Sequence, residues 1–402
     1  MRLCVMHGGP KRAKIAEPQV PSRLGVEPRA LSRGKELDAQ VPLGESRSPA
    51  VSPQLPRDLH DRIGQMVFVG FRGLTAQEAE PTLKQIGAGS IGAVVLYDFD
   101  AQTGESRNIQ SPRQLSELVT AVKAAGSIPP LITIDAEGGQ FQELQPRHGF
   151  AHTATAREVG LRNELACTRF NAEVIAEMLA EAGIDMNLAP VVDLLNPANP
   201  IATRAGRCYS PDPEVVISAA REFILMHRAC GVLTAIKHFP GMRGIAQPHL
   251  PGVGPFVEDW SRDELEPFRA LISEGLADAV LTTRDRYPLL DPDYPACLSK
   301  KIVAGLLRSE LGYDGVVISD PMEMREIWNV FGLAKGAVIA VNAGIDLVLA
   351  CNLSSDVPYS DDRADEVIRA LTDAVASGEV EESRINEACG RILTLKARLP
   401  HA

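Results

Sequence analysis

Short, continuously apolar runs recur along the chain from Pro56 onward. Each is hydrophobic at successive positions rather than at alternate ones, which is typical of parallel strands buried on both faces. The eight runs are MVFVGF (66–71), GAVVLYD (92–98), PLITID (130–135), DMNLAPVVD (185–193), VLTAIKH (232–238), DAVLTT (278–283), GVVISD (315–320) and DLVLA (346–350). They predict eight parallel strands.

Amphipathic segments separate these runs and carry helix start and stop signals. The sequence from Ser111 to Gln114 offers an N-cap, a proline at the first helical position and a capping-box glutamine, and Ser261 to Glu264 repeats the capping box. Glycines at 183 and 231 can take the left-handed conformation that ends a helix. Helices are predicted over about 162–182, 211–229, 362–377 and 382–397.

The alternation of strands and helices predicts the fold. Eight strands, each followed by a helix, match the count of a (β/α)₈ TIM barrel, which is an α/β fold. A doubly wound open sheet is the alternative, but it usually has a glycine-rich phosphate-binding turn after its first strand, and none follows MVFVGF. We therefore predict a single-domain barrel over residues 57–400.

Residues 1–56 have a different composition. They are rich in Pro, Gly, Ser and Arg, have no sustained periodicity and lack the apolar core of a secretory signal. This composition predicts a disordered N-terminal extension. A start codon assigned too far upstream would give the same pattern.

Composition and charge restrict the class of partner. A net charge of -11 without a lysine-arginine block argues against nucleic-acid binding, and no apolar run reaches the roughly 18 residues that span a bilayer. Seven scattered cysteines predict reduced thiols in a cytoplasmic protein. The eight histidines have no ligand-type spacing, so neither a metal nor another cofactor is predicted, and the sequence identifies no protein partner.

The candidate chemistry lies where the predicted strands end. Active sites of TIM barrels are built at the C-terminal ends of the strands. A single acid there can be a helix N-cap, but several acids together with a Lys-His pair favour a polar pocket for a hydroxyl-rich or carbonyl-bearing substrate. The residues at these ends are Asp98, Asp135, Asp193, Lys237, His238, Arg284 and Asp320.

Six motifs in a fixed order resemble one family of enzymes. They are IDAEGGQFQ (134–142), MNLAPVVDL (186–194), RCYSPDP (207–213), KHFPG (237–241), LGYDGVVISDPMEM (311–324) and NAGIDLVL (342–349). Together they resemble the barrel domain of glycoside hydrolase family 3, in particular the single-domain β-N-acetylhexosaminidases of cell-wall recycling. The resemblance runs from about Pro56 to Leu399.

The resemblance implies roles for individual residues. Asp320 corresponds to the catalytic nucleophile of a retaining glycosidase. Asp135 corresponds to a carboxylate that binds sugar hydroxyls, and Arg207 to a substrate-binding arginine. Lys237 and His238 correspond to the substrate-binding Lys-His pair of the family. The implied substrate is a carbohydrate with a terminal N-acetylglucosamine.

The loop after KHFPG departs from the family pattern. Family members read roughly KHFPGHG and then DSH, whereas this chain reads KHFPGMRGIAQPH. With a one-residue gap His249 corresponds to the histidine that protonates the leaving group, but Gln247 replaces its aspartate. A neutral amide cannot stabilise the imidazolium as a carboxylate does, so a weakened proton donor is predicted.

Other positions also depart from the pattern and leave three functions open. Gln140 and Glu143 replace arginines, Arg284 replaces a histidine, and Pro321 replaces a second acid. One function is a β-N-acetylhexosaminidase that uses Asp320 and His249. The alternatives are a relative with altered substrate or phosphorylase chemistry, and a non-catalytic sugar-binding protein.

Overall fold

The computed structural model describes residues 53–198, 206–244 and 256–400. Residues 1–52 of the predicted N-terminal extension lie outside these ranges, so its disorder stays a prediction. The same holds for the loop segment 245–255, which contains Gln247 and His249.

Eight parallel strands form one sheet that closes on itself. The strands are β1 Val67–Gly70, β2 Ala93–Leu96, β3 Leu131–Ile134, β4 Met186–Asn187, β5 Leu233–Phe239, β6 Ala279–Thr282, β7 Val316–Ile318 and β8 Val348–Ala350. Their order in the sheet is β7-β6-β5-β4-β3-β2-β1-β8. A parallel bridge between Ile318 and Leu347 joins the two ends of this order. The predicted (β/α)₈ barrel is confirmed.

One helix precedes the first strand, and helices follow each strand along the chain. They are α1 Leu59–Met66, α2 Glu80–Gly87, α3 Pro112–Ala124, α4 Ala156–Arg162, α5 Leu165–Ala182, α6 Pro213–Ala229, α7 Glu266–Ser273, the π-helix Lys301–Glu310, α8 Arg325–Ala343, α9 Arg363–Ser377 and α10 Glu382–Lys396. Short 3₁₀ turns occupy Pro146–His148, Arg262–Leu265 and Ala296–Leu298. None of the helices in the described ranges has an apolar stretch long enough to cross a bilayer.

The helix predicted over 162–182 begins later than expected. Asn163 takes the left-handed conformation, with φ at 48°, and ends α4 before α5 starts at Leu165. Asn tolerates this conformation because its short polar side chain bonds locally. The predicted end is confirmed, since Gly183 is left-handed with φ at 78°.

Of the two predicted capping boxes, the one at Ser261 forms completely and the one at Ser111 forms only in part. Ser111 Oγ accepts a hydrogen bond from Gln114 N at 3.2 Å, as predicted, but the Gln114 side chain accepts from Gln110 N at 2.8 Å instead of from the cap residue. Before α7, the Glu264 side chain accepts from Ser261 N at 3.3 Å, as a capping box requires.

The fourth strand is much shorter than its apolar run. Of residues 185–193 only Met186–Asn187 form a continuous strand, and Pro190, which has no N–H to donate, interrupts the run beyond it. Beyond the proline, Val191 forms a parallel bridge with Lys237, and Val192 N donates to Lys237 O at 2.8 Å. The chain thus reaches Asp193 beside the C-terminal end of β5.

A buried arginine connects the strands where the barrel closes. The Arg107 guanidinium donates to Phe71 O after β1 at 2.8 Å, and to Cys351 O and Asn352 O after β8 at 3.0 and 2.9 Å. Its side chain is fully buried. Because three carbonyls share one cation, the first and last strands are fixed at the end of the barrel where the active site is expected.

Candidate active site

Lys237 is the centre of an ion-pair network at the C-terminal ends of β3 and β5. Its Nζ lies 2.5 Å from Asp135 Oδ1 and 2.8 Å from Glu137 Oε1, although only 3% of its side chain is exposed. Burial alone would lower the pKa of Lys237, but the two carboxylates outweigh burial and raise it. The lysine is therefore held as a charged, fixed hydrogen-bond donor.

Arg207 joins the same network through Glu137. Its Nε and Nη2 donate to the two oxygens of Glu137 at 2.8 and 2.6 Å, which is the bidentate geometry that arginine favours with carboxylates. Burial acts to raise the pKa of Glu137, but Lys237 and Arg207 lower it to about 2. Glu137 was not predicted as a site residue. It lies in the IDAEGG motif, and that motif was the available signal.

His238 is oriented by a carboxylate from the neighbouring strand end. Its Nδ1 lies 2.7 Å from Asp193 Oδ2, and its backbone N donates to Asp193 Oδ1 at 3.0 Å. The Nδ1–H tautomer that this contact favours directs the acceptor nitrogen Nε2 toward Arg207 Nη2, 3.4 Å away. The geometry brings the four predicted sugar-binding residues together: Asp135, Arg207, Lys237 and His238.

Asp320, the predicted nucleophile, lies directly after β7 and is 6% exposed. Its Oδ2 accepts a hydrogen bond from Arg284 N at 2.7 Å, and its Oδ1 lies 3.5 Å from Arg284 Nη1. One oxygen is thus fixed by the backbone, while the other is only loosely paired. Among the described residues, Asp320 makes no hydrogen bond or ion pair with the Lys237 network.

Two more acids lie near Arg284. Its Nε is 3.4 Å from Glu326 Oε2, at the start of α8. The adjacent Asp285 is 4% exposed, and burial raises its pKa to about 7, with Asp320 and Glu326 acting in the same direction. This side of the site therefore holds a carboxyl group that titrates near neutral pH.

The start of the loop that follows KHFPG is anchored to the barrel. Tyr287 Oη donates to Gly241 O at 2.7 Å, and Trp260 Nε1 donates to Pro240 O at 3.0 Å. Arg243 N donates to Glu264 Oε2 at 2.8 Å, and burial raises the pKa of Glu264 to about 7. The predicted donor His249 lies farther along this loop, outside the described residues, so its role stays a prediction.

A second group of carboxyls lines the ends of β2 and β3. Asp98 N donates to Glu143 Oε2 at 2.7 Å, and Glu143 N donates to Asp135 O at 2.9 Å. Arg147 pairs with Asp98, and His148 Nε2 lies 3.5 Å from Asp98 Oδ2. The sequence marked Glu143 only as a departure from the family. Its contact with Asp98 spans 45 residues and could not be read from spacing.

The arrangement as a whole is a group of paired cations and carboxylates at the C-terminal ends of the strands, with Asp320 after β7 at the same end of the barrel. Charged, preorganised donors and acceptors suit a ligand with many hydroxyls. Within the described ranges, no three His, Cys, Asp or Glu side chains cluster in a way that could hold a metal ion.

Comparison with known proteins places the chain in a family. Residues 58–395 match the glycosyl hydrolase family 3 N terminal domain. The beta-hexosaminidase of Xanthomonas euvesicatoria is 31% identical over 299 residues, which are 71% of this chain and 84% of that protein.

Two solved structures of family relatives are also similar to this chain. The beta-N-acetylhexosaminidase of Beutenbergia cavernae has a TM-score of 0.72 at 30% identity, covering 86% of this chain and 100% of that one. A family 3 beta-N-acetylglucosaminidase from a Paenibacillus species has a TM-score of 0.75 at 33% identity, and 85% of this chain matches 63% of its length. The chain spans less than two thirds of that Paenibacillus protein. The match to the family domain extends over most of the chain, and the chain belongs to glycosyl hydrolase family 3.

Proposed function

We propose that this protein is a retaining β-N-acetylhexosaminidase that releases terminal N-acetylglucosamine, with Asp320 as the nucleophile. Family membership and the activities named for its relatives support the reaction class. The observation that carries the proposal is the fixed Asp320 carboxylate, whose Oδ2 is hydrogen-bonded to the Arg284 backbone while Oδ1 is only loosely paired.

The first step forms a covalent bond to the enzyme. Asp320 Oδ1 attacks the anomeric carbon, the glycosidic C–O bond breaks, and its electron pair stays on the leaving oxygen, which takes a proton. In the second step water attacks the same carbon, the bond to Asp320 breaks and restores its carboxylate, and the water gives a proton back to the group that protonated the leaving oxygen, so the sugar is released with retained configuration. The hydrogen bond from Arg284 N holds Oδ2 in place, so the attack geometry is set before substrate binds.

The Lys237 network supplies sugar binding. Lys237 and Arg207 are cations held by Glu137, so their remaining N–H groups can donate to sugar or acetamide oxygens without first losing a water shell. Asp135, with its side chain 31% exposed, is the carboxylate of the network open to accept sugar hydroxyls.

His249 is the proposed proton donor. General-acid help is worth about 10²–10⁴-fold in rate, and part of it depends on a charged partner for the imidazole. Gln247 cannot provide that charge, which makes the donor weaker than a His-Asp pair.

The test uses the purified chain with an aryl β-N-acetylglucosaminide, and follows the anomeric configuration of the product by NMR. We expect release of the β-anomer, and a loss of more than about 10³-fold in kcat for Asp320→Asn. Asp314→Asn is the control, because Asp314 is 92% exposed in the turn before β7 and should leave kcat unchanged. Full activity in Asp320→Asn would exclude it as the nucleophile.

Two outcomes would favour the alternatives. Formation of a sugar 1-phosphate in phosphate buffer would indicate a phosphorylase, which the absent aspartate at position 247 leaves open. Sugar binding without turnover of any aryl glycoside would indicate a non-catalytic relative.

We also propose that the glycosides are cell-wall fragments processed in the cytoplasm. The support is the resemblance to recycling enzymes and the scattered cysteines of the sequence. Cell fractionation together with an assay on isolated cell-wall fragments tests both points. Recovery of the protein outside the cell, or inactivity on the fragments, would contradict them.

A further inference from the structure

The guanidinium of Arg284 lies beside the carboxylate that is proposed as the nucleophile. Arg284 follows β6 and Asp320 follows β7, and these two strands are neighbours in the barrel. The backbone N of Arg284 donates to Asp320 Oδ2 at 2.7 Å, and its side-chain Nη1 is 3.5 Å from Asp320 Oδ1. One residue therefore contacts both oxygens of Asp320, through a hydrogen bond to one and a looser ion pair with the other.

A second carboxylate pairs with the same guanidinium. Glu326 lies in the first turn of α8, its side chain is 14% exposed, and its Oε2 is 3.4 Å from Arg284 Nε. This Nε atom is buried and makes no hydrogen bond with any described residue, so Glu326 supplies charge rather than a directional bond. The guanidinium is thus shared by Glu326 and Asp320, each of which lies at an ion-pair distance from a different nitrogen.

Asp320 depends on this arginine for its counter-charge. Within the described ranges, Arg284 is the basic side chain that forms an ion pair with Asp320. The adjacent Asp285 is 4% exposed, so a further acidic side chain is buried next to this pair. The charge of Asp320 is the largest cause that raises the pKa of Arg284, and the guanidinium therefore stays protonated at any pH at which the enzyme could work.

The charge on Asp320 changes twice in the proposed reaction. When Oδ1 bonds to the anomeric carbon, the carboxylate becomes an uncharged ester. When water attacks that carbon, the bond to Oδ1 breaks and its electron pair returns to Oδ1, while a proton of the water goes to the group that first protonated the leaving oxygen. A cation beside Oδ1 therefore stabilises the departing carboxylate of the second step more than the neutral ester that precedes it.

We propose that Arg284 is the electrostatic partner of Asp320 that promotes the second step, release of the sugar, and that Glu326 is the positioning residue that holds its guanidinium. This inference rests on the proposed function, since it assigns a role within the same reaction. The cation also stabilises the free carboxylate before the first step. Its removal should therefore slow release of the sugar without slowing attachment, so that the glycosyl-enzyme accumulates.

The first test separates the two steps. The substrate is a dinitrophenyl β-N-acetylglucosaminide, whose leaving group needs no proton, so that attachment to the enzyme is fast. Stopped-flow absorbance gives the burst and the steady rate, and intact-mass spectrometry gives the fraction of glycosyl-enzyme. Arg284→Ala should lower kcat about tenfold, lower KM with it, and raise the glycosyl-enzyme fraction during turnover. An unchanged kcat, or a lower kcat without accumulation of the glycosyl-enzyme, would overturn the inference.

A conservative variant and chemical rescue separate the charge from the shape of the side chain. Arg284→Lys keeps a cation and should retain more of kcat than Arg284→Ala. Guanidinium chloride, far below the concentrations that unfold proteins, should restore part of kcat in Arg284→Ala, whereas sodium chloride at the same concentration should not. Arg325→Ala is the control with wild-type kcat, because Arg325 is 63% exposed and pairs with Asp356. Equal losses in the two Arg284 variants without rescue by guanidinium would contradict an electrostatic role.

A double-mutant cycle tests the role of Glu326. Glu326→Gln should lower kcat severalfold in the protein with Arg284, because the Arg284 side chain is 34% exposed and can turn toward solvent once Glu326 has lost its charge. In the Arg284→Ala background the same substitution should have no further effect. An equal effect in both backgrounds would show that Glu326 acts on something other than Arg284.

These results are distinct from a failure of the proposed function. Normal hydrolysis by the wild type with an unchanged kcat in Arg284→Ala overturns only the role of Arg284. A wild type that turns over no aryl glycoside overturns the proposed function. The ion pair is then still measured by a cycle of Arg284→Ala and Asp320→Asn on the free energy of unfolding in urea. A favourable coupling would support the pairing of the two charges, and its absence would overturn the inference whether or not the protein hydrolyses.

Discussion

At the scale of single residues, Glu137 fixes the two cations of the candidate site. This buried carboxylate contacts both Lys237 and Arg207, so each cation is fixed before substrate arrives. Its pKa of about 2 means that it keeps its charge throughout the pH range in which a glycosidase would work. If the proposed sugar binds here, its hydroxyls would meet donors that are already oriented.

We expect Lys237→Ala and Arg207→Ala to weaken substrate binding by about 1.5–3 kcal/mol each, because each removes a charged hydrogen-bond donor. Kinetics should show a raised KM with a smaller change in kcat. Arg207→Lys is the companion variant, since it keeps the charge but loses the bidentate contact with Glu137. A collapse of kcat at unchanged KM would contradict a binding role.

The predicted donor gives a second test at this scale. His249→Ala should spare aryl substrates with good leaving groups and strongly slow those with poor ones, because only the latter need a proton. In the wild type, activity on poor leaving groups should fall above about pH 6.5, where an ordinary imidazole loses its proton. Gln247→Asp should raise that activity. Equal rates for His249→Ala and wild type on both substrates would show that His249 is not the donor.

Individual site residues could be predicted where a motif carries them. Asp135, Lys237, His238 and Asp320 lie directly at strand ends and in recognisable runs. The partners of these residues could not be predicted. The contact of Asp193 with His238, 45 residues apart, depends on the position of β4 beside β5, which no local pattern encodes.

At the scale of elements, the apolar runs predicted all eight strands but not their lengths. The run 185–193 is as apolar as its neighbours, yet only Met186–Asn187 form a continuous strand, and Pro190, which cannot donate, interrupts the run. The prediction of one helix over 162–182 was likewise wrong at its start. Asn163 takes a left-handed conformation there, which depends on its local surroundings. Hydrophobic periodicity predicts which elements form, while single polar residues and prolines set where they end.

The junction between β5 and the loop after it gives a prediction at this scale. Gly241 has φ at 109°, and a Cβ there would lie 2.7 Å from Glu264 Oε2. Gly241→Ala should destabilise the fold by more than about 1 kcal/mol, since it adds a collision to the backbone strain. It should also reduce activity, because Glu264 holds Arg243 N at the start of the loop.

The control for this substitution is Gly275→Ala. Gly275 also has positive φ, at 66°, but a Cβ there would meet nothing within 4 Å. Urea unfolding and kcat/KM are measured for both variants. The difference between them reports the collision with Glu264, and equal losses would show that backbone strain alone explains the effect.

At the scale of the whole molecule, the two ends of the barrel carry different chemistry. The C-terminal ends of the strands hold the ion pairs of the site, and Arg107 fixes β1 and β8 there. The opposite end of the barrel contains a buried cation to which no carboxylate of the described residues is bonded. Lys396, at the end of α10, donates to Gln65 Oε1 at 2.7 Å and to Pro129 O, just before β3, at 3.0 Å.

This lysine should make stability depend on pH in a region separate from the active site. Burial lowers the pKa of Lys396 to about 7 in the folded chain, whereas an unfolded lysine titrates near 10.5. Between these values the unfolded state binds more protons, so the free energy of unfolding should increase as pH rises from about 7 to 10.5. The slope should approach about 1.4 kcal/mol per pH unit.

Lys396→Met tests this by removing the charge while keeping an unbranched apolar side chain. The free energy of unfolding in urea is measured at several pH values between 7 and 10, together with that of Lys335→Met, a control at an exposed position of α8. Other groups titrate over the same range, so the quantity compared is the difference between variant and wild type. We expect Lys396→Met to be the more stable at pH 7 and to lose this advantage as pH rises, because the wild type then no longer buries an ammonium. A difference that does not change with pH would show that Lys396 keeps an ordinary pKa in the folded protein.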